Sequence, residues 1–309
     1  MIGVPGSVAA GSRTNVPSMP PPPVLDVVRD REGDGDVATL WLDRPDARNA
    51  LGRAFFAELP VVVAELSADP DVRAVVIAAR GRDFSVGLDL LELGAGLAGL
   101  AGASDGDAQD PAARASPASP AARTAAMRRS ILEMQAAIVS VAACPKPVIA
   151  AVHGYCIGGG MDLVTACDVR LASADAVFSV RETRMAMVAD LGTLQRLPRI
   201  VGGGHAAELA LTGKDVGAGR AREIGLVSEV YADQEELLAA ARSTAREIAA
   251  LSPLAVQGTK AVLSANDGRT VAQGLEYVAA WNAGMLASED LAEAVRAFME
   301  KRPPRFAGG

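Results

Sequence analysis

Histidine and cysteine are scarce in this chain, and each scarcity removes a class of chemistry. With only two histidines, His153 and His205, a His-rich metal site or a serine triad has no support. The three cysteines, Cys144, Cys156 and Cys167, lack metal-ligand spacing, and their odd number argues against a disulfide framework. A reducing compartment and no metal are therefore expected. No run of about eighteen apolar residues occurs, so no membrane-spanning helix is expected. Arg13 is not followed by a continuous apolar stretch, which speaks against a secretory signal. The ending Phe306-Ala307-Gly308-Gly309 is not a peroxisomal address of the Ser-Lys-Leu type, and a cytoplasmic location is the default expectation.

What is present describes a soluble globular protein. Of 309 residues, 50% are apolar and 22% charged, enough for one large domain or a domain with an appendage. The formal net charge of −7 makes a nucleic-acid partner a poor fit. An anionic small molecule remains compatible, because local Arg, Lys and backbone N–H groups can hold phosphates on an acidic protein.

Along the chain, residues 1–23 are rich in Gly, Ser and Pro and read as a disordered tail. Apolar runs at 25–28 and 37–42 flank Glu32-Gly33-Asp34-Gly35 and predict a hairpin. Phe55, Phe56, Leu59, Val62, Val63 and Leu66 recur at helical spacing and predict a helix over 52–66, kinked or split at Pro60. A buried strand follows at 74–78. The β-β-α-β order points to a mixed α/β fold. Residues 101–125 form a low-complexity insert, read as a flexible loop or a lid, with plain surface decoration the commoner fate. Beyond it the pattern predicts a helix at 123–143, a strand at 147–152, a helix at 160–167, and strands at 169–172 and 177–180. Helices are predicted at 204–212, 234–251, 253–265 and 270–300. The division is thus a tail (1–23), an α/β core (24–203) and a helical region (204–309).

Two glycine-bearing segments each follow a strand and open a helix. They are Asp83-Phe84-Ser85-Val86-Gly87-Leu88-Asp89-Leu90 and His153-Gly154-Tyr155-Cys156-Ile157-Gly158-Gly159-Gly160-Met161-Asp162-Leu163. Glycine lets backbone N–H groups face a cleft, and a helix N-terminus adds unpaired donors and a positive dipole end. Two such N–H groups converging on one point form an oxyanion hole. Either segment alone is equally well a tight turn, and the second lacks dinucleotide-fingerprint spacing.

Together, and with Leu42-Asp43-Arg44-Pro45-Asp46-Ala47-Arg48-Asn49-Ala50-Leu51, they resemble the enoyl-CoA hydratase/isomerase (crotonase) superfamily from residue 42 to about residue 300. The resemblance implies a ββα spiral core with an α-helical C-terminal oligomerisation region that assembles trimers or hexamers. It implies an acyl-CoA thioester as substrate and no separate cofactor, coenzyme A being part of the substrate. The N–H groups of Leu88 and Gly159 would hold the thioester oxygen. Ala47, Arg48, Ala50, Val86, Gly87, Leu88, Asp89, Leu90 and Gly159 would line the CoA channel.

The carboxylates refine the resemblance. A generic hydratase of the family would carry glutamates matching Asp162 and Glu182 and a glycine at 190, whereas here the three positions are Asp162, Glu182 and Asp190. With Val188-Ala189-Asp190-Leu191-Gly192-Thr193-Leu194-Gln195-Arg196-Leu197-Pro198, Ser252-Pro253-Leu254-Ala255-Val256-Gln257-Gly258-Thr259-Lys260 and Trp281-Asn282, this resembles the Δ3,5-Δ2,4-dienoyl-CoA isomerases. That resemblance implies Glu182 as the base at C2 and Asp190 as the acid at C6, made protonated by apolar neighbours Met187, Val188, Ala189 and Leu191. Asp162 would either tune the other two or merely cap its helix. A hydratase or single-bond isomerase, and a non-catalytic CoA-thioester binder, are the competing readings.

Other residues read more plainly. His153 is expected as a satisfied core histidine. Arg48 either approaches CoA phosphates or supports its loop, and Lys260 either reaches the CoA nucleotide end or lies on a solvated helix face. Trp281 is expected to pack helix against helix. Val86 and Leu88 are bulkier than the alanines common in hydratases, and Ala186 stands where related isomerases often carry glycine.

Overall fold

The computed structural model describes residues 23–31, 35–92 and 119–309. The disordered reading of residues 1–22, the hairpin turn at 32–34 and the insert at 101–118 fall outside these.

Nine strands and ten helices organise the described chain. Strands β1 (Leu25–Asp30) and β2 (Asp36–Leu42) pair antiparallel, as the two apolar runs predict. Helix α1 (Arg53–Ala68) follows, then β3 (Val72–Ala79), α2 (Pro120–Ala143), β4 (Val148–Val152), β5 (Tyr155–Ile157) and α3 (Gly159–Thr165). Next come β6 (Val169–Ser173), β7 (Val177–Ser179), a 3-10 turn at Glu182–Met185, α4 (Thr193–Val201) and α5 (Gly203–Thr212). The rest is β8 (Val216–Gly217), α6 (Ala218–Glu223), β9 (Glu229–Tyr231), α7 (Gln234–Ala249), α8 (Pro253–Ala265), α9 (Val271–Met285) and α10 (Glu289–Glu300).

The main sheet runs β1-β2-β3-β4-β6-β9, parallel from β2 onward, and a smaller sheet runs β5-β7-β8. Side chains alternate across a strand, and β3 shows the consequence. Val75, Ile77 and Ala79 enter the core shared with α1 and α2, whereas Ala74, Val76 and Ala78 face Leu237, Ala241 and Ala245 of α7. Buried on both faces, β3 is a continuous apolar run rather than an alternating one.

Three expectations change. Pro60 does not split α1, which runs on through it; Phe55, Leu59, Val63 and Leu66 keep both halves on one buried stripe. The helix predicted over 270–300 is two helices, because Ser288 caps a new one by accepting from Leu291 N–H, with Glu289 and Asp290 in its first turn. The α/β core does not stop at 203, since β9 pairs with β6 and α7 covers the sheet. The helices that stand away from the sheet are α8 to α10. Among the described residues no single helix is long and apolar enough to cross a membrane.

Candidate active site

The site lies where two loops after β3 and β5 are laced together by backbone. Ser85 N–H donates to Tyr155 C=O, and Ile157 N–H returns a bond to Ser85 C=O. On the other flank Leu51 N–H donates to Gly87 C=O and Asp89 N–H to Leu51 C=O, while Val86 N–H donates to Arg48 C=O. Gly87, at φ 88°, touches the second loop so closely that a Cβ there would stand 2.9 Å from Ile157 O. Only glycine fits.

Two buried polar residues, Asn49 and Asp83, hold this lacing, and the sequence reading did not single them out. Asn49 donates to the carbonyls of Arg80 and Asp83 and accepts from Arg44 N–H. Asp83 accepts from Tyr155 N–H and from Arg48 Nε at 2.7 Å. Satisfied buried groups of this kind fix one loop geometry. Their available signal was Asn beside Arg48 in a turn, a residue tolerant of left-handed backbone; Arg48 and Asn49 adopt φ 52° and 53°.

The expected oxyanion donors come together. An added Cβ on Gly159 would lie 3.7 Å from Leu88 N, so the two residues are close neighbours. Gly159 opens α3, whose first N–H groups have no intrahelical acceptors. Among the described residues no hydrogen bond engages Leu88 N–H or Gly159 N–H.

Glu182 stands beside this point. Its Oε1 would lie 3.5 Å from a Cβ on Gly158, and its Oε2 is buried without a hydrogen-bond partner. Burial pushes the carboxyl up to about 7; its own N–H opposes this, and the charges of Asp162 and Asp190 add to it. Asp162 is almost fully buried and raised to about 6, again mainly by burial, against the pull of Thr193. Burial also raises Asp190, which remains partly exposed at the rim. Since Asp190 raises both Glu182 and Asp162, the three carboxylates share one field.

Asp162 raises Glu182 through its charge, and its side chain does not cap its own helix. Its Oδ1 accepts from Thr193 N–H and Thr193 Oγ1, each at 2.7 Å. Thr193 opens α4, and the residue ahead of it, Gly192, has no side chain to cap with. Asp162 therefore caps a neighbouring helix and ties down the loop carrying Asp190.

Other expected site residues divide. Ala47, Ala50, Val86 and Leu90 lie along the laced loops, on the predicted segment. Asp89 is committed elsewhere, with Oδ2 on Arg44 Nη2 and Oδ1 accepting from Leu91 and Glu92 N–H. Arg48 supports the loop through Asp83 and lies 5.3 Å from the centre of the Tyr155 ring. Lys260 is neither solvated nor free: buried, it binds Asp168 Oδ2 at 2.6 Å and Lys146 C=O. Val188 is 73% exposed and points away from the core, whereas Ala189 and Leu191 on either side of Asp190 are buried. His153 is buried with Nε2 against Gly81 O, as a core histidine should be. Trp281 packs on Gly258, joining α9 to α8. Ala186 takes φ 56°, which explains why glycine suits that position.

Comparison with known proteins bears on this geometry. The enoyl-CoA hydratase/isomerase family model matches residues 32–110 and 103–309. The peroxisomal Delta(3,5)-Delta(2,4)-dienoyl-CoA isomerase of Arabidopsis thaliana is 45% identical over 92% of this chain and 96% of its own. The mitochondrial protein of the same name from Dictyostelium discoideum is 41% identical over 87% of each chain. The crystal structure of an enoyl-CoA hydratase from Bacillus anthracis superposes with a TM-score of 0.78 and 29% identity, over 92% of this chain and 99% of that one. The compartments of these relatives overturn the cytoplasmic expectation: two proteins this similar work in peroxisomes and mitochondria. A default drawn from missing signals carried no physical information about the folded molecule. The laced glycine loops, the free N–H pair and the matched length converge on one conclusion: the chain belongs to the enoyl-CoA hydratase/isomerase family.

Proposed function

We infer that this protein is a Δ3,5-Δ2,4-dienoyl-CoA isomerase acting in fatty acid β-oxidation. The observation that carries the reading is a glutamate raised by burial, Glu182, beside two free N–H groups, with a second carboxyl, Asp190, at the exposed rim in the same field. The relatives that bear this name support it across nearly the whole chain.

The chemistry follows from the charges. A thioester α-proton is too weakly acidic for a carboxylate in water, so the enolate must be stabilised as it forms. The N–H groups of Leu88 and Gly159 receive the thioester oxygen, each contributing roughly 3–4 kcal/mol in the transition state. Glu182, ionised, takes the proton from C2. The released electron pair delocalises through both double bonds to C6. Asp190, protonated, delivers a proton there, and the 2,4-diene results. C2 and C6 are too far apart for one short carboxylate to serve both, which is why two suit this reaction. No group beyond the coenzyme A of the substrate enters this scheme.

Hydration of a 2-enoyl-CoA would want a second carboxylate free to orient water. Asp162, with one oxygen holding Thr193 twice, is poorly suited to that. The test is spectrophotometric: a 3,5-dienoyl-CoA should gain the longer-wavelength absorbance of a 2,4-dienoyl thioester. Hydration of a 2-enoyl-CoA without this gain would favour the hydratase, and binding without turnover a silent binder.

An assembled homotrimer or homohexamer completes the proposal. Leu263, Val271, Leu275, Phe298 and Met299 leave an extended apolar surface on α8 to α10. Large exposed apolar side chains concentrated on neighbouring helices mark a surface for association.

A further inference from the structure

Asp190 sits in the irregular segment 186–192, between the Glu182–Met185 turn and α4. Both ends of the segment are anchored. Met187 N–H donates to Glu182 C=O at the start, and Thr193 is held by Asp162 at the finish. Buried Ala189 and Leu191 pin the flanks of Asp190. What these contacts leave undetermined is the rotation of the peptide that follows Asp190, and with it the direction of the carboxyl.

One side chain fixes that peptide. Gln135, in the second half of α2, donates from Nε2 to the Asp190 C=O at 2.6 Å. It lies one turn ahead of buried Ile138, is itself half-buried, and makes this bond at the solvent-facing edge of α2. The acceptor is a carbonyl, so only the amide NH2 of Gln135 can make the bond. Among the described residues no other residue binds the Asp190 backbone.

We propose that Gln135 is a positioning residue, holding the Asp190 carboxyl toward the far end of the substrate by locking its backbone carbonyl. The inference rests on Asp190 acting as the acid in the proposed isomerisation. A proton donor must stand within hydrogen-bond reach of its target carbon, and displacement by about 1 Å costs about 100-fold in rate. A single backbone-directed bond far from the CoA moiety should therefore govern kcat while leaving thioester binding alone.

Three proteins test this on a 3,5-dienoyl-CoA: wild type, Gln135→Met and Gln135→Glu. Gln135→Met keeps the shape and removes the donor. It should lower kcat about 10- to 100-fold, with KM within about twofold and the melting temperature nearly unchanged. Gln135→Glu can donate only when protonated, so its kcat relative to wild type should climb as pH falls, while the ratio for Gln135→Met stays flat. A merely structural role would not produce that difference. Wild-type kcat in Gln135→Met would overturn the proposal. So would a Gln135→Glu deficit that is the same at every pH, a readout that stands even if Gln135→Met does not fold. Failure of the parent reading is separate: wild type itself would then not turn over the diene.

Discussion

Glu182 is the residue on which pH should act first. Its carboxyl is raised to about 7 by burial, and the base must be ionised to take the C2 proton. Accordingly kcat should rise as pH climbs through about 7, a limb that steady-state kinetics between pH 5.5 and 8.5 would reveal. Glu182→Gln and Asp190→Asn should each lower kcat by about 10²- to 10⁴-fold with little change in thermal unfolding; near-normal turnover in either would sink the two-carboxylate scheme. Asp162 permits a sharper experiment. Asp162→Asn keeps an acceptor for Thr193 but removes a charge that raises Glu182, so the acid limb of kcat should move to lower pH. Stability shifts in a known direction as well. A carboxyl raised to about 6 in the fold favours the folded state fully below its unfolded pKa, and that contribution is lost as pH rises through 6. Asp162→Asn should therefore gain melting temperature relative to wild type at pH 8 and lose that advantage near pH 4. The same relative stability at both would contradict a buried charge at 162.

At the scale of the element, the segment joining the 3-10 turn to α4 concentrates backbone cost. Gly192 takes φ 123°, a backbone conformation that strains any residue with a Cβ, and a Cβ there would also displace the Arg196 guanidinium. Ala186, by contrast, pays for φ 56° with its own Cβ, exposed and unneeded. Ala186→Gly should stabilise by up to about 1 kcal/mol, read as a higher urea midpoint at unchanged slope; a lower midpoint would mean the chain entropy of glycine outweighs the relieved strain. Beyond Leu191 the sequence reads as mainly helical, but the bounds of α4 were not drawn from it. Its cap comes from Asp162, thirty-one residues away, and no local pattern announces a cap from another helix. The separate start of helix α10 was missed for a different reason, since Ser288-Glu289-Asp290 is a readable start signal overlooked inside a long periodic run.

At the scale of the molecule, α8 to α10 carry apolar side chains that the described chain does not cover. Phe298 is 81% exposed and Leu275 62%. If these surfaces join copies of the chain, the wild type should scatter light as a trimer or hexamer and the double variant Leu275→Glu, Phe298→Glu as a smaller species. A wild type that runs as a monomer at micromolar concentration would remove the assembly from the proposal.

Sequence alone determined six of the nine strands, the two glycine loops and the three carboxylate positions, because each is set by local periodicity, by backbone freedom or by residues at fixed spacing; the short β5, β8 and β9 owe their pairing to tertiary contacts. It also made the roles of Glu182 and Asp190 readable through resemblance. Tertiary structure decided the rest. Lys260 looks like a ligand for the CoA nucleotide end, and Asp89 like a wall of the channel, until Asp168 and Arg44 claim them. Asp162 looks like a cap for its own helix until Thr193 arrives from the far side of the cleft. Which partner a charged side chain takes depends on contacts between segments distant in the chain, and only folding brings those into range.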